Sequence, residues 1–391
     1  MKNIKVGVIG VGNIGSAHAR AIADGKVSGM VLSALCDVST ERFARFPQEF
    51  PDCAYYTNYE ELIKSGEVDA VIVSVPHISH GVIAKFALEN GLHVLVEKPV
   101  DISVSVARRL NEVAKSSDKI FGIMFNQRTN PLFAKTREIV KNGELGKLKR
   151  SVWIVTNWYR TQKYYDSGSW RATWAGEGGG VLLNQAPHNL DLWQWICGRP
   201  KAITAFCDIA KYHRIEVEDD VTIFAEFEDG ATGSFITSTG EYPGTNRLEI
   251  TGELGKLVLE NGVLKYWKLP IPERELCENS ADMHPTVDCE YVEIKDEDDG
   301  NGHVKILQNF ADSVLFGKEL IAPGTDGIHE LSISNAAYLS SWLGNKKIEF
   351  PFDENEFDRL LLERMKSSSY VKNEDADKRA GEYSSRWSVK W

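Results

Sequence analysis

The stretch Gly10-Val11-Gly12-Asn13-Ile14-Gly15 decides the fold of this chain. It is a G-x-G-x-x-G motif that follows a strand-like apolar run ending at Ile9 and opens a helical pattern over 14–23. In such a turn Gly10 permits the tight bend, Gly12 lets a pyrophosphate approach the backbone, and Gly15 lets helix and strand pack closely. The phosphates then lie at the helix N-terminus. Isolated turn glycines carry little information, but this context predicts a dinucleotide-binding site.

The choice of cofactor depends on Asp37, which closes the second strand-like run about 20 residues after the glycine motif. A carboxylate at this place is expected to bind the ribose hydroxyls of the cofactor. It would also repel a 2′-phosphate, so the sequence favours NAD over NADP. Arg42 lies close by in sequence and softens that preference.

Apolar runs and helical patterns alternate through the first 125 residues. The predicted strands are Val6–Ile9, Val31–Cys36, Ala70–Val75, Val94–Val96 and Ile120–Ile123, and the predicted helices are 14–23, 78–89 and 104–115. Continuous apolar strands between amphipathic helices indicate a parallel sheet that is covered on both faces. We therefore predict an α/β chain whose residues 1–125 form a doubly wound Rossmann domain.

After Asn126 the pattern changes to period-two alternation, as in Val221, Ile223, Ala225 and Phe227. This predicts a C-terminal α+β domain over 126–391, with a large, mostly antiparallel open sheet and helices on one face. Because the other face of such a sheet needs a cover, we expect a homo-oligomer, either a dimer or a tetramer. The polar tail from Lys372 either packs on a neighbouring subunit or is mobile.

The composition argues against several classes of partner. The net charge of −11, without a basic run, disfavours nucleic acid and anionic membranes. No stretch reaches the ~20 apolar residues of a membrane helix, and no apolar signal segment precedes the first strand, so a cytoplasmic protein is expected. The six cysteines form no C-x-x-C pair, and the histidines show no ligand-like spacing. No metal site is predicted, and His18, His213 and His303 are interpreted as ordinary.

A further set of motifs surrounds Glu97-Lys98-Pro99, which follows the fifth strand of the Rossmann pattern. The others are Val75-Pro76-His77-Ile78-Ser79-His80, the run 87–94, Asn126-Gln127-Arg128, Gly178-Gly179-Gly180 with His188 downstream, and Asn335-Ala336-Ala337. Together they resemble the glucose–fructose oxidoreductase, inositol dehydrogenase and rhizopine catabolism (Gfo/Idh/MocA) family over nearly the whole chain. The E-K-P placement with the glycine motif is specific, whereas the resemblance beyond residue 200 is looser.

The resemblance implies a two-domain oxidoreductase with NAD(P) at the carboxyl ends of the Rossmann strands and with pyranosides, cyclitols or related polyols as substrates. The residues expected to contact the cofactor are Gly10, Gly12, Asn13, Ile14, Gly15, Asp37, Val75, Pro76, His77, His80, Glu97, Lys98, Asn126 and Arg128. Glu97 either contacts the cofactor or positions its loop. Pro99 is expected to fix that turn, with a cis peptide as one possibility.

The resemblance also implies three catalytic residues. Lys98 matches the lysine that contacts the substrate and the nicotinamide ribose, and His188 matches the histidine of a D-x-x-x-H pair. Asn184 stands where that pattern has its aspartate, and an amide cannot take a proton. His188 should therefore act as the general base, while Asn184 orients the substrate hydroxyl. Pro187 suits the first position of a helix, so Asn184 should lie just before that helix.

The chemistry of alcohol oxidation supports this assignment independently. The reaction releases a hydride from carbon and a proton from oxygen, and the proton acceptor should have a pKa near the working pH, which suits histidine. A cationic lysine at the same oxygen would stabilise the developing alkoxide and relay the proton. We therefore predict His188 as general base and Lys98 as alkoxide stabiliser, with Asp191 available to orient the imidazole.

The loop before the glycine run is rich in aromatic side chains. The residues predicted to bind substrate are Lys98, Trp158, Tyr159, Arg160, Tyr164, Trp170, Trp174, Asn184 and His188. Flat aromatic faces cover the C–H faces of sugar rings, while Arg and Asn bind hydroxyls. Alternatively, Arg160 binds a substrate carboxylate such as that of a uronic acid. For any single tryptophan, a hydrophobic cluster under the loop is an equally good interpretation.

The leading prediction is an NAD-dependent dehydrogenase that transfers a hydride between nicotinamide and a hydroxyl carbon of a pyranoside, sugar or cyclitol. Two other classes stay open. One is a hydrolase that retains NAD and expels a glycosidic leaving group through transient oxidation. The other is a non-catalytic, nucleotide-sensing regulator on the same fold, since fold alone does not decide function.

Overall fold

The computed structural model describes residues 3–168 and 170–369. Its strands are β1 Ile4–Ile9, β2 Met30–Cys36, β3 Ala54–Tyr56, β4 Ala70–Val73, β5 His93–Val96, β6 Phe121–Ile123, β7 Leu148–Val155, β8 Ala202–Ile209, β9 Glu218–Glu226, β10 Thr232–Ser238, β11 Asn246–Gly252, β12 Gly255–Glu260, β13 Val263–Lys268, β14 Glu290–Lys295 and β15 Ile348–Glu349. Its α-helices are α1 Asn13–Ala23, α2 Phe46–Glu49, α3 Tyr59–Lys64, α4 His80–Glu89, α5 Val104–Ser116, α6 Pro131–Lys141, α7 Gln162–Asp166, α8 Val181–Asn184, α9 Pro187–Cys197, α10 Glu273–Asn279, α11 Gly302–Phe316, α12 Gly327–Trp342 and α13 Glu354–Lys366.

These elements form two compact units. The first contains the chain up to Thr129, together with Ala175–Gly178 and Asn301–Ser332. The second contains Asn130–Trp174, Gly179–Gly300 and the chain from Ile333. The boundary between domains at residues 125 and 126 stays a prediction. The first unit also contains the segment Asn301–Ser332, which the local sequence pattern does not assign to it.

The first unit is built on a parallel sheet with the strand order β3-β2-β1-β4-β5-β6. The strands are apolar because both faces of the sheet are covered, and every residue of β4 is buried. The strand order reverses direction between β1 and β4. In sheets of this kind a nucleotide binds outside the carboxyl ends of the strands at that point.

The C-terminal segment of the first unit packs against β6. The amide of Ile123 donates to the carbonyl of Ala322 at 3.0 Å, and Gly122 forms an antiparallel bridge with Pro323. A side chain on Gly122 would approach the ring of Phe310 in α11 to within 3.3 Å, so the helix lies directly on the strand. This segment therefore completes the edge of the parallel sheet.

The second unit is built on a mixed sheet in the order β14-β13-β12-β11-β7-β10-β9-β8-β15. Only the pair β7 and β10 is parallel in the described part of this sheet. On one face Trp153 and Phe235 pack with Phe133 of α6 and Trp193 of α9. On the other face Phe206 and Phe224 remain 51% and 45% exposed.

The predicted fold class is confirmed by these two sheets. The predicted strand over 70–75 ends two residues early, at Val73, because Ser74 and Val75 already begin the turn into the next helix. The elements that were not predicted are the strands β3, β8, β13, β14 and β15 and the helices α2, α3, α7, α8, α10 and α13. The polar tail from Lys372 lies outside the described residues. Within the described residues, no helix combines the length and the apolar character needed to span a membrane.

Candidate functional site

The glycine turn has the geometry that a dinucleotide requires. Gly10 has φ +88°, and a Cβ there would lie 2.5 Å from the carbonyl oxygen of Ser74. A Cβ on Gly15 would lie 1.9 Å from the carbonyl oxygen of Gly10. A Cβ on Gly12, by contrast, would meet only Nη1 of Arg42, at 4.0 Å. Two glycines are thus required by the protein's own packing, whereas the third leaves open space.

That open space lies at the N-terminus of α1, where Gly12 is the capping residue and no side chain caps the helix. Backbone N–H groups of a first helical turn need acceptors, and an anion is a suitable one. Asn13 and Ile14 begin this turn. The residues present therefore fit the pyrophosphate of a dinucleotide.

Asp37 directly follows β2 and is buried beside the same turn. Its carboxylate accepts hydrogen bonds from the amides of Val11 and Ser39, each at 3.0 Å. It also accepts one from Nη1 of Arg42 at 3.0 Å, and the Arg42 side chain is 56% exposed. The carboxylate and the guanidinium are thus adjacent, as their sequence spacing suggests, and both adjoin the space over Gly12.

The loop after β5 is fixed by a buried contact between Glu97 and His18. Oε1 of Glu97 lies 2.8 Å from Nε2 of His18 in α1, and the Lys98–Pro99 peptide is cis. Burial alone would raise the pKa of Glu97, but the hydrogen bond from His18 and the nearby charge of Lys98 help to hold it at about 2. The Glu97 carboxylate therefore stays ionised and ties the Lys98 loop to the helix that carries the glycine turn.

His303 completes this cluster from the C-terminal segment of the first unit. Its ring centroid lies 5.8 Å from that of His18, and its Nδ1 lies 3.4 Å from Nδ2 of Asn126. Burial, with the charges of His18 and Lys98, lowers the pKa of His303 to about 4. His303 is therefore neutral at physiological pH. Both His18 and His303 were interpreted as ordinary from the sequence.

The imidazole of His80 lies between two backbone carbonyl groups. Its Nδ1 lies 2.6 Å from the carbonyl oxygen of Pro99, and its Nε2 lies 2.8 Å from that of Val75. Burial lowers the pKa of this imidazole. His80 thus joins the turn after β4, which continues through Pro76 and His77, to the loop after β5.

Arg128 forms hydrogen bonds to the C-terminal segment of the first unit. Its buried guanidinium donates to Oδ2 of Asp326 at 2.8 Å and to the carbonyl of Ile321 at 3.2 Å. These bonds tie the segment after β6 to the returning C-terminal segment. All the residues predicted to contact the cofactor therefore lie in the first unit, in the segments that follow β1, β2, β4, β5 and β6 or in the first turn of the next helix.

Asn184 and His188 lie in the second unit on two successive short helices. Asn184 is the last residue of α8, and Pro187 occupies the first position of α9, as its sequence pattern predicts. Both Asn184 and His188 are half-buried. Asp191, one turn later, is buried and accepts a hydrogen bond from Nε2 of Gln194 at 3.1 Å.

The side chain of Glu218 forms hydrogen bonds with the backbone at the start of α8. Its fully buried carboxyl accepts hydrogen bonds from the amide of Gly180 at 2.9 Å, the amide of Leu182 at 3.0 Å and the hydroxyl of Tyr338 at 2.7 Å. Burial outweighs these donors and raises the pKa of Glu218 to about 7. A Cβ on Gly180 would lie 2.0 Å from the Glu218 carbonyl oxygen, which explains the glycine there. Sequence analysis did not identify Glu218 as a site residue.

The aromatic loop divides into two groups. Trp174 is 6% exposed and packs against Tyr338 and Trp342, with ring centroids 5.7 and 5.6 Å away. This is the hydrophobic cluster given above as the alternative. Trp158 is also buried, and its Nε1 donates to Oδ1 of Asn189 at 3.2 Å.

The more accessible group of the loop consists of Tyr159, Arg160, Tyr164 and Trp170. Tyr159 is 43% exposed, and the other three are half-buried. The hydroxyl of Tyr164 lies 3.4 Å from Oδ1 of Asn184. Tyr164 is therefore brought to the residue that the sequence assigns to substrate.

No group of three or more His, Cys, Asp and Glu side chains in the described part of the chain is arranged to hold a metal ion. Polar groups that follow parallel strands at a strand-order reversal can bind a dinucleotide. A half-buried imidazole and a half-buried amide on two successive short helices can bind a polar substrate. The first unit carries the former and the second unit the latter.

Comparison with known proteins identifies the relatives of this chain. Residues 4–125 match the model of an oxidoreductase family with an NAD-binding Rossmann fold, and residues 133–258 match the GFO/IDH/MocA C-terminal domain. The myo-inositol 2-dehydrogenase of Thermotoga maritima is 26% identical over 264 residues, which are 66% of this chain and 75% of that protein. The scyllo-inositol 2-dehydrogenase (NAD(+)) of Bacillus subtilis is 25% identical over 344 residues, which are 85% of this chain and 93% of that protein.

A solved structure shares the fold over most of the chain. The WlbA dehydrogenase of Bordetella pertussis, in complex with NADH and UDP-GlcNAcA, has a TM-score of 0.77 and 23% identity, covering 90% of this chain and 99% of that one. The family models confirm the resemblance drawn from E-K-P and the glycine motif. On these two matched regions, the chain belongs to the GFO/IDH/MocA family of oxidoreductases with an NAD-binding Rossmann domain.

Proposed function

We propose that this protein is an NAD-dependent dehydrogenase that transfers a hydride between nicotinamide and a hydroxyl carbon of a pyranoside, sugar or cyclitol. The observation that carries the proposal is the open space over Gly12, beside the buried Asp37, in a chain that retains Lys98 and His188. The names of the inositol dehydrogenases to which the chain is similar support a polyol substrate.

We further propose that NAD is preferred over NADP. The Asp37 carboxylate at the end of β2 would bind the ribose hydroxyls and repel a 2′-phosphate. Its hydrogen bond from Arg42 neutralises part of that charge, so the preference should be moderate. The other residues proposed to line the cofactor are those that follow β4, β5 and β6.

The proposed chemistry assigns one task to each of three side chains. NAD, when bound, supplies the hydride acceptor. The Lys98 ammonium lies against the substrate hydroxyl and stabilises the alkoxide that forms as the proton leaves. The His188 imidazole takes that proton from the hydroxyl oxygen. Asn184 orients the hydroxyl by hydrogen bonding.

A homo-oligomer, a dimer or a tetramer, is part of the proposal. Phe206 and Phe224 leave apolar area on the open face of the second unit's sheet, and a second copy of the chain would cover it. The acidic net charge supports an enzyme with neither nucleic acid nor an anionic membrane as partner. A cytoplasmic location is also part of the proposal.

The test measures NADH formation by absorbance at 340 nm with NAD and a panel of inositols, hexoses, methyl glucosides and uronates. We expect turnover with at least one member and a loss of ~10²–10⁴-fold in kcat/KM in Lys98→Ala and in His188→Ala, the range of a lost acid–base group. Lys85→Ala is the matched control, because Lys85 forms only an exposed ion pair with Glu89 on α4.

Two outcomes would replace the proposal. Release of p-nitrophenol from nitrophenyl glycosides, without net NADH and with NAD retained on the protein, would indicate the redox-assisted glycosidase. NAD binding with neither activity, and the same partner binding in a Lys98→Ala/His188→Ala double variant, would indicate a nucleotide-sensing regulator.

A further inference from the structure

A buried carboxylate in the second unit fixes the turn over 211–213. The side chain of Asp219, in β9, accepts hydrogen bonds from the backbone amides of Lys211, Tyr212 and His213, each at 2.9 Å. Its Oδ2 atom also lies 2.8 Å from Nδ1 of the His213 ring. Burying a carboxylate is costly unless donors surround it, and here several do. Asp219 therefore holds this turn in one conformation.

The imidazole of His213 connects this turn to the aromatic loop. Its Nε2 lies 2.8 Å from the carbonyl oxygen of Arg160. A carbonyl oxygen can only accept, so Nε2 is the donor in this contact. The His213 side chain is 7% exposed, and its ring centroid lies 4.8 Å from that of Tyr165. His213 thus joins two segments that are 53 residues apart in the sequence.

A second set of hydrogen bonds joins Asp219 to the same arginine. The backbone carbonyl of Asp219 accepts from the amide of Thr239 at 2.9 Å, and the carbonyl of Thr239 accepts from the amide of Arg160 at 2.9 Å. Both backbone polar groups of Arg160 are therefore paired, the carbonyl with His213 and the amide with Thr239. A residue whose amide and carbonyl are both paired has little freedom to change its backbone conformation.

The side chain of Arg160 extends this fixed arrangement to Tyr164. Its Nη1 donates to the carbonyl groups of the two preceding residues at 3.2 and 2.9 Å, so the guanidinium folds back over its own segment. Its Cζ atom lies 5.0 Å from the centroid of the Tyr164 ring, which is within the range of a cation–π interaction. The Tyr164 hydroxyl in turn lies 3.4 Å from Oδ1 of Asn184. The position of Tyr164 at Asn184 therefore depends on how Arg160 is held.

We propose that His213 and Asp219 are positioning residues for the substrate site: they hold Arg160 so that Tyr164 stays next to Asn184. This inference rests on the proposed dehydrogenase function and adds two residues to it. Because the proposed chemistry uses other side chains, loss of His213 should weaken sugar binding more than it slows the reaction of the bound sugar. NAD binding should not change, since the residues proposed for NAD all lie in the first unit.

The test compares two substitutions of His213 in the full chain, with the sugar or cyclitol that the wild type oxidises. His213→Phe keeps a ring beside Tyr165 but removes the donor to the Arg160 carbonyl. We expect KM for the sugar to rise ~10-fold or more, the range of a buried acceptor that loses its partner. The value of kcat should fall by a smaller factor, and KM for NAD should stay the same. His213→Gln keeps an N–H donor and should recover part of the wild-type KM.

His93→Phe is the matched control, because His93 also pairs a ring nitrogen with the backbone but lies in the first unit. Its Nδ1 accepts a hydrogen bond from the amide of Ile120 at 2.9 Å. This variant should lower the melting temperature and leave KM for the sugar unchanged. A wild-type KM for the sugar in His213→Phe, or an equal rise in the control, would overturn the proposal.

Hydrogen exchange separates this inference from the proposed function. If no sugar is oxidised, deuterium uptake by the full chain still tests whether His213 holds the loop. In His213→Phe, uptake in the peptide over 157–166 should become ~10-fold faster or more, whereas uptake over α1 should not change. That result without turnover of any sugar would support the positioning of Tyr164 while the dehydrogenase proposal fails. Unchanged uptake over 157–166 would overturn the positioning role, whatever the activity.

Discussion

The free energy of unfolding should depend on pH through Glu218 in a way that one substitution isolates. Burial raises the pKa of this carboxyl from its ordinary value of 4.5 to about 7 in the folded chain. The folded protein therefore holds the proton more tightly than the unfolded chain does. The resulting stabilisation is fully present below pH 4.5 and is lost as the pH rises through 7. At 1.36 kcal/mol per pKa unit, the loss is about 3 kcal/mol.

The perturbation is Glu218→Gln, which mimics the protonated carboxyl at every pH. Urea unfolding of both proteins, followed by the fluorescence of the ten tryptophans, should be compared at several pH values between 4.5 and 8. The difference in unfolding free energy should move by about 3 kcal/mol in favour of the glutamine variant across that range. Because only the difference is used, the opposite contribution of His303, whose pKa is lowered to about 4, cancels.

Tyr338→Phe is the companion variant. It removes a hydroxyl that donates to Oε1 of Glu218 and lowers the carboxyl's pKa, so the pH-dependent loss should extend to higher pH. A difference between wild type and Glu218→Gln that is independent of pH would refute the reasoning. A difference that moves against glutamine as the pH rises would show instead that the three donors keep Glu218 ionised.

Three further predictions concern the first unit. Gly12→Ala should leave the melting temperature unchanged, since its Cβ meets only Arg42 at 4.0 Å. It should weaken NADH binding by ~10-fold or more in calorimetry, because the pyrophosphate approaches the backbone at this residue. An unchanged affinity for NADH would contradict the cofactor placement. Asp37→Asn should narrow the ratio of NADP to NAD dissociation constants by ~10-fold, and an unaltered ratio would assign the selectivity elsewhere. Arg128→Met should lower the urea-derived unfolding free energy by about 2–3 kcal/mol, because it leaves the partly exposed Asp326 without its 2.8 Å partner; a neutral effect would show that the pair contributes little.

The parts of the fold that follow from local pattern could be predicted from the sequence. The glycine turn, the apolar strands β1, β2, β4, β5 and β6, and Pro187 at the start of α9 each leave a signal within a few residues. The strand β3 is only three half-buried residues long and leaves almost none. In β14 each residue is exposed or half-buried, so the contrast between its two faces is weak.

The supporting residues of the site could not be predicted because they act over long sequence distances. His18 meets Glu97 across 79 positions, and Glu218 meets Tyr338 across 120. A lone histidine or glutamate has no local pattern that names such a partner. The same limit applies to Trp174, since only tertiary packing separates a tryptophan in a buried cluster from one that faces a ligand.

The return of Asn301–Ser332 to the first unit has a consequence for how the protein is made. A ribosome adds about 5–20 residues per second, and domains generally fold in the order of synthesis. Here Ile123 receives its partner Ala322 only after β7–β14 of the other sheet have been translated. The N-terminal unit therefore cannot complete its sheet edge at the time it leaves the ribosome. A nascent chain that stops before residue 301 would keep β6 without this cover, and its last strand would be open to chaperones or to pairing with other chains.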